Sequence, residues 1–232
     1  MMGKIALSHS RLSDFNLCPR KFFLKYIDKS FPDESNNPNF VRGNNIHKQL
    51  ENYLTWKTVG QGNMEKPNLS PESHNVIPIV NKLVETMDVV MGEQQIATDH
   101  NWNKCGWFGG EAVKYRYVLD VVALKADMAA IVDYKTGKVR DYDGWGGQLH
   151  LNSTAIMSIY PEVNTVKCAY LYVDHKITKP VTVTRAELPQ LQGHFDSEHE
   201  KVAKESEFKP KINQFCKWCP ATKKQCPYSK QL

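Results

Sequence analysis

The chain predicts an α/β fold in which a central sheet is flanked by helices, and three observations carry that prediction. Residues 115–138 (YRYVLDVVALKADMAAIVDYKTGK) read as two strands joined by a short polar turn. Segments 7–29, 43–56 and 76–92 space their apolar residues for helices. After the hairpin, 164–173 and 181–184 return to β-branched and aromatic runs. With 232 residues, 41% of them hydrophobic, the chain can bury one sizeable core. A single domain over 1–232 is expected, its N-terminal helix (8–29) joined to a cysteine-rich tail (208–230).

Charge and cysteine content narrow the partners. No apolar run approaches the roughly 18 to 20 residues of a membrane span, so no membrane partner is expected, and the N-terminal one is too short for a signal peptide. Six cysteines without a secretory leader point to a reducing compartment, the cytoplasm of a prokaryotic or virus-infected host cell, and away from a disulfide framework. The net charge of +5 is uneven. Residues 1–30 carry six Lys/Arg against two acids and residues 201–232 carry eight against two, whereas the centre holds 16 basic and 21 acidic residues. Basic ends around an acidic centre suit an enzyme that grips a polyanion, although Lys-rich ends are often simply solvated.

Taken in order, Ser8 or Ser10 caps a first helix anchored by Leu12, Phe15, Phe22, Phe23 and Tyr26, broken at Cys18-Pro19. Residues 30–41 are a polar loop. The helix Gly43 to Trp56 presents Ile46, Leu50, Tyr53 and Leu54 on one face, with His47 at its border. A lone helical histidine is by default structural or solvated. Residues 57–75 read as a surface loop, and 76–92 as a core helix through Ile79, Leu83, Val84, Met87 and Met91. Residues 93–108 open the sheet, with Ile96 inside and a turn between Trp102 and Trp107. Glu93 and Glu111 read as solvated strand carboxylates, with a place near an acidic site as the alternative. Cys105 reads as an unliganded thiol.

In the hairpin, Val118, Val121, Val122 and Leu124 give the first strand its buried character, 125–127 make the turn, and Ala129 to Tyr134 form the second strand. Asp120, Asp133 and Lys135 are set into these apolar runs. A charge beside a buried strand is costly unless it is paired or holds a metal. Asp133 and Lys135 lie two apart and so share a strand face, which makes a salt bridge the plainer reading. Residues 139–147 form a loop whose glycines permit tight paths, and a helix starts at Gln148. Cys168 reads as a small core residue, and 186–205 as a charged, exposed helix. In the tail, Cys216, Cys219 and Cys226 fall within eleven residues beside prolines. With one distant cysteine, that spacing suits Zn²⁺ or an iron–sulfur cluster equally.

Asp120, followed thirteen positions later by Asp133-Tyr-Lys-Thr-Gly-Lys138, resembles the core of the PD-(D/E)XK nucleases, in particular the RecB-type branch. Gly43-x-x-x-His47 resembles the helix that supplies a histidine metal ligand there. Gln148 matches the first residue of a Q-x-x-x-Y element, although Asn152 stands in the aromatic's place. Ser10-Arg-Leu-Ser-Asp-Phe15 with Cys18-Pro-Arg-Lys-Phe-Phe23, together with the tail cysteines, resembles the CRISPR-associated exonuclease family, where the last gap is commonly one residue shorter.

The resemblance implies a restriction-endonuclease-like core with a mixed sheet, its termini clasped by a four-cysteine metal cluster. It implies Mg²⁺ or Mn²⁺ held by His47, Asp120, Asp133 and the Tyr134 carbonyl, since cleaving a phosphodiester needs hard oxygen ligands. Lys135 would act on the attacking water and the transition state, with Gln148 assisting. Cys18, Cys216, Cys219 and Cys226 would hold a [4Fe–4S] cluster, with Zn²⁺ as the alternative. The implied activity is exonucleolytic cleavage of DNA, on single strands or free ends, in recombination, repair or replication. A separate helicase or recombination partner is compatible with it. Phe15 and Trp218 are candidates to meet bases. Two other readings stand beside this one: a catalytically idle DNA-binding subunit, and a zinc-binding interaction protein.

Overall fold

The computed structural model describes residues 5–60, 62, 64–140 and 144–230, apart from the side chain of Glu111. Seven helices and six strands organise these residues. The helices are α1 (His9–Leu17), α2 (Pro19–Phe22, prolonged by a π-turn over Phe23–Ile27), α3 (Pro38–Thr55), α4 (Pro71–His74), α5 (Ile77–Thr86), α6 (Gln148–Ile159) and α7 (Leu188–Lys204). The strands are β1 (Val89–Asp99), β2 (Lys104–Cys105), β3 (Val113–Lys125), β4 (Met128–Lys135), β5 (Thr165–Tyr172) and β6 (Ile177–Thr184). No described helix is long and apolar enough to cross a membrane.

The strands form one mixed sheet in the order β2-β1-β3-β4-β5-β6. β3 and β4 make the expected hairpin, pairing Val121 with Val132 and Lys125 with Met128. Its tight turn puts Ala126 in the left-handed region, at φ 48°. β4 and β5 run parallel, which requires a crossover, and α6, buried from Leu149 to Met157, supplies it. The edge strand β6 tolerates Pro180 because its outer side needs no ladder donor.

Alternation along β4 divides the core. Ile131 points into a cluster with Leu12, Phe22, Tyr115, Leu149 and Phe195, under α1, α6 and α7. Its neighbours Val132 and Tyr134 point the other way, against Ile46, Leu50 and Leu54 of α3 and Val80 of α5. The cysteine-rich tail returns to the start of the chain. Lys211 Nζ donates to the Asn16 carbonyl (3.0 Å), Arg20 Nε donates to the Gln225 carbonyl (2.9 Å), and Leu24 packs on Ala221 and Cys226.

Several elements differ from their sequence-based expectation. Helix α3 begins five residues earlier than expected, at Pro38, because Asn37 caps it and Pro38 suits its first turn. A like pairing of a capping side chain with proline, Ser70 and Pro71, starts α4 inside the expected 57–75 loop, whose first residues continue α3 as a π-turn. Helix α5 stops at Thr86, so Met87 lies beyond it and Met91 belongs to β1. Val118 is half exposed, since Tyr117 and Leu119 take the inward positions on either side. Helix α7 is not an exposed helix: Leu191, Phe195, Glu198, His199 and Val202 are buried along one face. Phe15 is buried against Phe22, with ring centroids 5.4 Å apart, and so cannot stack on a base, whereas Trp218 is exposed. Cys168 is buried in the core, as its apolar strand suggests.

Candidate active site

The ladder between β3 and β4 ends where the charged residues begin. Beyond the Val121–Val132 pair, the Tyr134 amide donates to Asp120 Oδ2 at 2.7 Å. The Asp120 carboxylate thus takes a place a strand carbonyl would otherwise fill. On the other side of β3, pairing with β1 passes from Gly92–Val121 to Gln94–Leu119, and Glu93 between them adopts φ 37°. The strands part at this point, and helices from both faces of the sheet reach the gap.

From one face, α3 brings His47, whose Nδ1 lies 3.0 Å from Asp120 Oδ1. That contact leaves Nε2 as the nitrogen available to a metal. The ring also meets Tyr134 edge-on, with centroids 5.9 Å apart. Arg42, one turn back on α3, forms a forked ion pair with Asp174 just past β5, and Asp174 also accepts the Gly137 amide. This brace ties α3 to the segment after β4 and holds His47 at the gap. Nothing in the local sequence announces it, since 132 residues separate Arg42 from Asp174.

From the other face, α6 brings Gln148. Its Nε2 donates to Asp133 Oδ1 (2.7 Å), and its Oε1 accepts from Lys135 Nζ (2.9 Å). Lys135 Nζ lies 2.6 Å from Asp133 Oδ2 and 4.8 Å above the Tyr170 ring. The expected salt bridge is therefore present, with Gln148 bridging its two ends.

These neighbours set the protonation states. Burial drives the Asp133 carboxyl up to about 6, reinforced by the Asp120 charge and opposed by Lys135 and His47. Burial pushes His47 down, but the hydrogen bond and charge of Asp120 and the charge of Asp133 outweigh it, and the net shift is upward. Glu93 is exposed and also shifted up, by partial burial and by contact with Glu51, with the Asp120 charge adding to both. The Glu111 side chain and residues 141–143 of the following loop lie outside the described residues.

The donor set suits a hard divalent cation. Asp133 Oδ2 is buried, and its one near neighbour, the Lys135 ammonium, lies off the line of a good hydrogen bond. It thus keeps lone pairs for a metal. Asp120 and the His47 imidazole stand beside it. Among the described residues, no three His, Cys, Asp or Glu side chains stand close enough together to hold a metal ion as placed. Instead, the imidazole and carboxylates satisfy one another and the ammonium.

The same holds for the cysteines. Cys18, Cys216, Cys219 and Cys226 line one pocket of about 350 Å³ between α1, α2 and the tail. The Lys211 amide points to Cys18 Sγ (3.5 Å) and the Asn213 amide to Cys216 Sγ (3.4 Å), the kind of donor a cluster-bound thiolate accepts. Burial raises the Cys219 thiol, as do its neighbours Cys226 and Cys18, against the Ala221 amide. Cys105 is half-buried on β2, away from these four.

A family model described as the PD-(D/E)XK nuclease superfamily matches residues 6–227. Among solved structures, a candidate exonuclease from Eubacterium rectale is 16% identical, with a TM-score of 0.56 over 94% of this chain and 88% of that one. The structure of SSO0001 is 14% identical, with a TM-score of 0.51 over 97% of this chain and 87% of that one. At such identities the likeness is one of fold. Nothing among curated proteins matches the chain.

Proposed function

The chain belongs to the PD-(D/E)XK nuclease superfamily, and on that premise we propose that it is a metal-dependent DNA exonuclease of the RecB type, acting on single strands or free ends. The observation that carries this reading is the gap between β3 and β4, which gathers Asp120, Asp133, Lys135, His47 and Gln148 from two strands and two helices. A binding module has no need for a buried carboxylate next to a polyanion.

In this reading His47, Asp120, Asp133 and the Tyr134 carbonyl hold Mg²⁺ or Mn²⁺. The metal supplies charge neutralisation at the phosphate and activates water. The chain's own residues do the rest. Lys135 places an ammonium beside the attacked phosphate and holds the attacking water. Gln148 keeps that ammonium and the Asp133 carboxylate in register, since it bonds to both. The Asp120–Tyr134 bond keeps the strands apart so that a phosphate can enter.

We further propose that the four cysteines bind a [4Fe–4S] cluster, Zn²⁺ being the alternative, that the whole chain is one nuclease domain, and that it works in the cytoplasm with a separate helicase or recombination partner. Closing a loop from residue 18 to residue 226 would remove much freedom from the unfolded chain, so the cluster's role would be structural.

Digestion of end-labelled single- and double-stranded oligonucleotides with Mg²⁺ or Mn²⁺ tests the activity. Wild type should release short products from ends, and Lys135→Ala should be slower by about 10²-fold or more. Equal cutting by wild type and the Lys135→Ala and Asp133→Ala variants would refute the mechanism.

A further inference from the structure

Beside Gln148 lies a second pocket, of about 350 Å³, that the proposed chemistry does not use. Arg11 of α1 and Arg116 of β3 enter it, with Trp107 and the half-exposed Val118 on its walls. Gln148 and Asn152, one turn apart on α6, close the side towards the candidate active site.

Burial lowers the Arg11 pKa, Tyr26 opposes that, and the Arg116 guanidinium is close enough to lower it further. Their contacts are neutral. Arg11 donates to the Ala6 carbonyl and lies 5.0 Å from the Tyr26 ring centre, while Arg116 Nε donates to the Trp107 carbonyl (2.9 Å) and lies 5.5 Å from its ring centre. Among the described residues, no carboxylate joins either one. Two half-buried like charges facing a cavity without a counter-charge are costly unless an anion arrives. Guanidiniums match a phosphate's oxygens in pairs, and an aromatic wall beside an exposed apolar side chain suits the flat face of a base.

We propose that this pocket binds one nucleotide, its phosphate on Arg11 and Arg116 and its base against Trp107 and Val118. Because Gln148 lines this pocket and also bonds to Asp133 and Lys135, that nucleotide would be the neighbour of the linkage being cut. The neighbour relation rests on the nuclease reading, whereas the binding does not.

Calorimetric titration of the full chain with dAMP and with deoxyadenosine, without divalent metal, tests the pocket. Wild type should bind dAMP at least about tenfold more tightly than deoxyadenosine, and Arg116→Gln and Arg11→Gln should each erase that advantage. Trp107→Ala should weaken both ligands alike. If Arg11→Gln fails to fold, as its contact with the Ala6 carbonyl allows, Arg116→Gln at an unchanged melting temperature decides. Equal affinity of wild type for dAMP and deoxyadenosine, or full dAMP affinity in Arg116→Gln, overturns the proposal.

Cleavage kinetics then locate the phosphate. A rise in KM for Arg116→Gln supports the pocket. If that rise is confined to oligonucleotides with a terminal phosphate, the site takes a strand end; if it is equal without one, the site takes an internal phosphate. Arginine-dependent dAMP binding by a chain that cuts no DNA would keep the pocket and sink the nuclease reading. Cutting with unchanged KM in Arg116→Gln would do the reverse.

Discussion

Replacing Asp133 with asparagine should make the metal-free chain more stable while removing its activity. Asp133 is buried, and its carboxyl is pushed from 3.8 to about 6, first by burial and then by Asp120, against Lys135 and His47. At about 1.36 kcal/mol per pH unit, that gap corresponds to ~3 kcal/mol. The folded state holds this proton more tightly than the unfolded chain. The penalty is therefore absent below about pH 4, grows as the pH rises towards 6, and is complete above it. Asparagine cannot ionise and can still accept from Gln148 Nε2. At pH 8 the variant should gain up to ~3 kcal/mol, or roughly 6–12 °C in melting temperature for a chain of this size. At pH 4 the two proteins should melt together. Manganese at a thousandfold its Kd should reverse the order at pH 8, because that excess adds about 4.1 kcal/mol to whichever protein binds it. Urea and thermal melts at both pH values, with and without Mn²⁺, measure all of this. An Asp133→Asn protein less stable than wild type at pH 8 without metal would refute the electrostatic reasoning, and a wild type indifferent to Mn²⁺ would refute the metal site.

Other outcomes follow from the same geometry. His47→Ala should weaken Mn²⁺ binding at least about tenfold, and Mg²⁺ binding less, since imidazole favours the softer ion; metal titrations of activity read this directly. Gly146 sits at φ 83°, where a Cβ would lie 2.6 Å from His194 Nε2. Gly146→Ala should therefore cost about 1–3 kcal/mol by denaturant melts and lower kcat, because Gln148 follows two residues later. Cys226→Ala should abolish absorbance near 400 nm in anaerobically purified protein and lower its melting temperature, while an unchanged spectrum would exclude ligation by that residue.

Much of this architecture is legible in local pattern. The β3–β4 hairpin, its turn, the paired Asp133 and Lys135, and the buried face of α3 all follow from two- and four-residue periodicities that act within one element. The Asn37-Pro38 and Ser70-Pro71 starts are equally local, but the polar residues around them give no apolar periodicity that marks a helix. The outward turn of Val118 is hidden for the opposite reason: in a largely apolar run, period two is hard to see, and only the buried neighbours Tyr117 and Leu119 reveal which face is inside. Helix α7 reads as exposed because only three of the five residues on its inner face, Leu191, Phe195 and Val202, are apolar.

By itself, then, the amino-acid order determined the elements, the chemistry of the charges set into them, and the family. Tertiary structure alone decided where those charges meet. His47 reaches Asp120 across 73 residues, Arg42 braces α3 on Asp174 across 132, and Arg11 faces Arg116 from another element. Such encounters depend on how strands part and helices cross, which no short-range pattern encodes. A hydrogen bond or a repulsion a few ångströms long is set by the whole packed core rather than by either partner's neighbours in the chain.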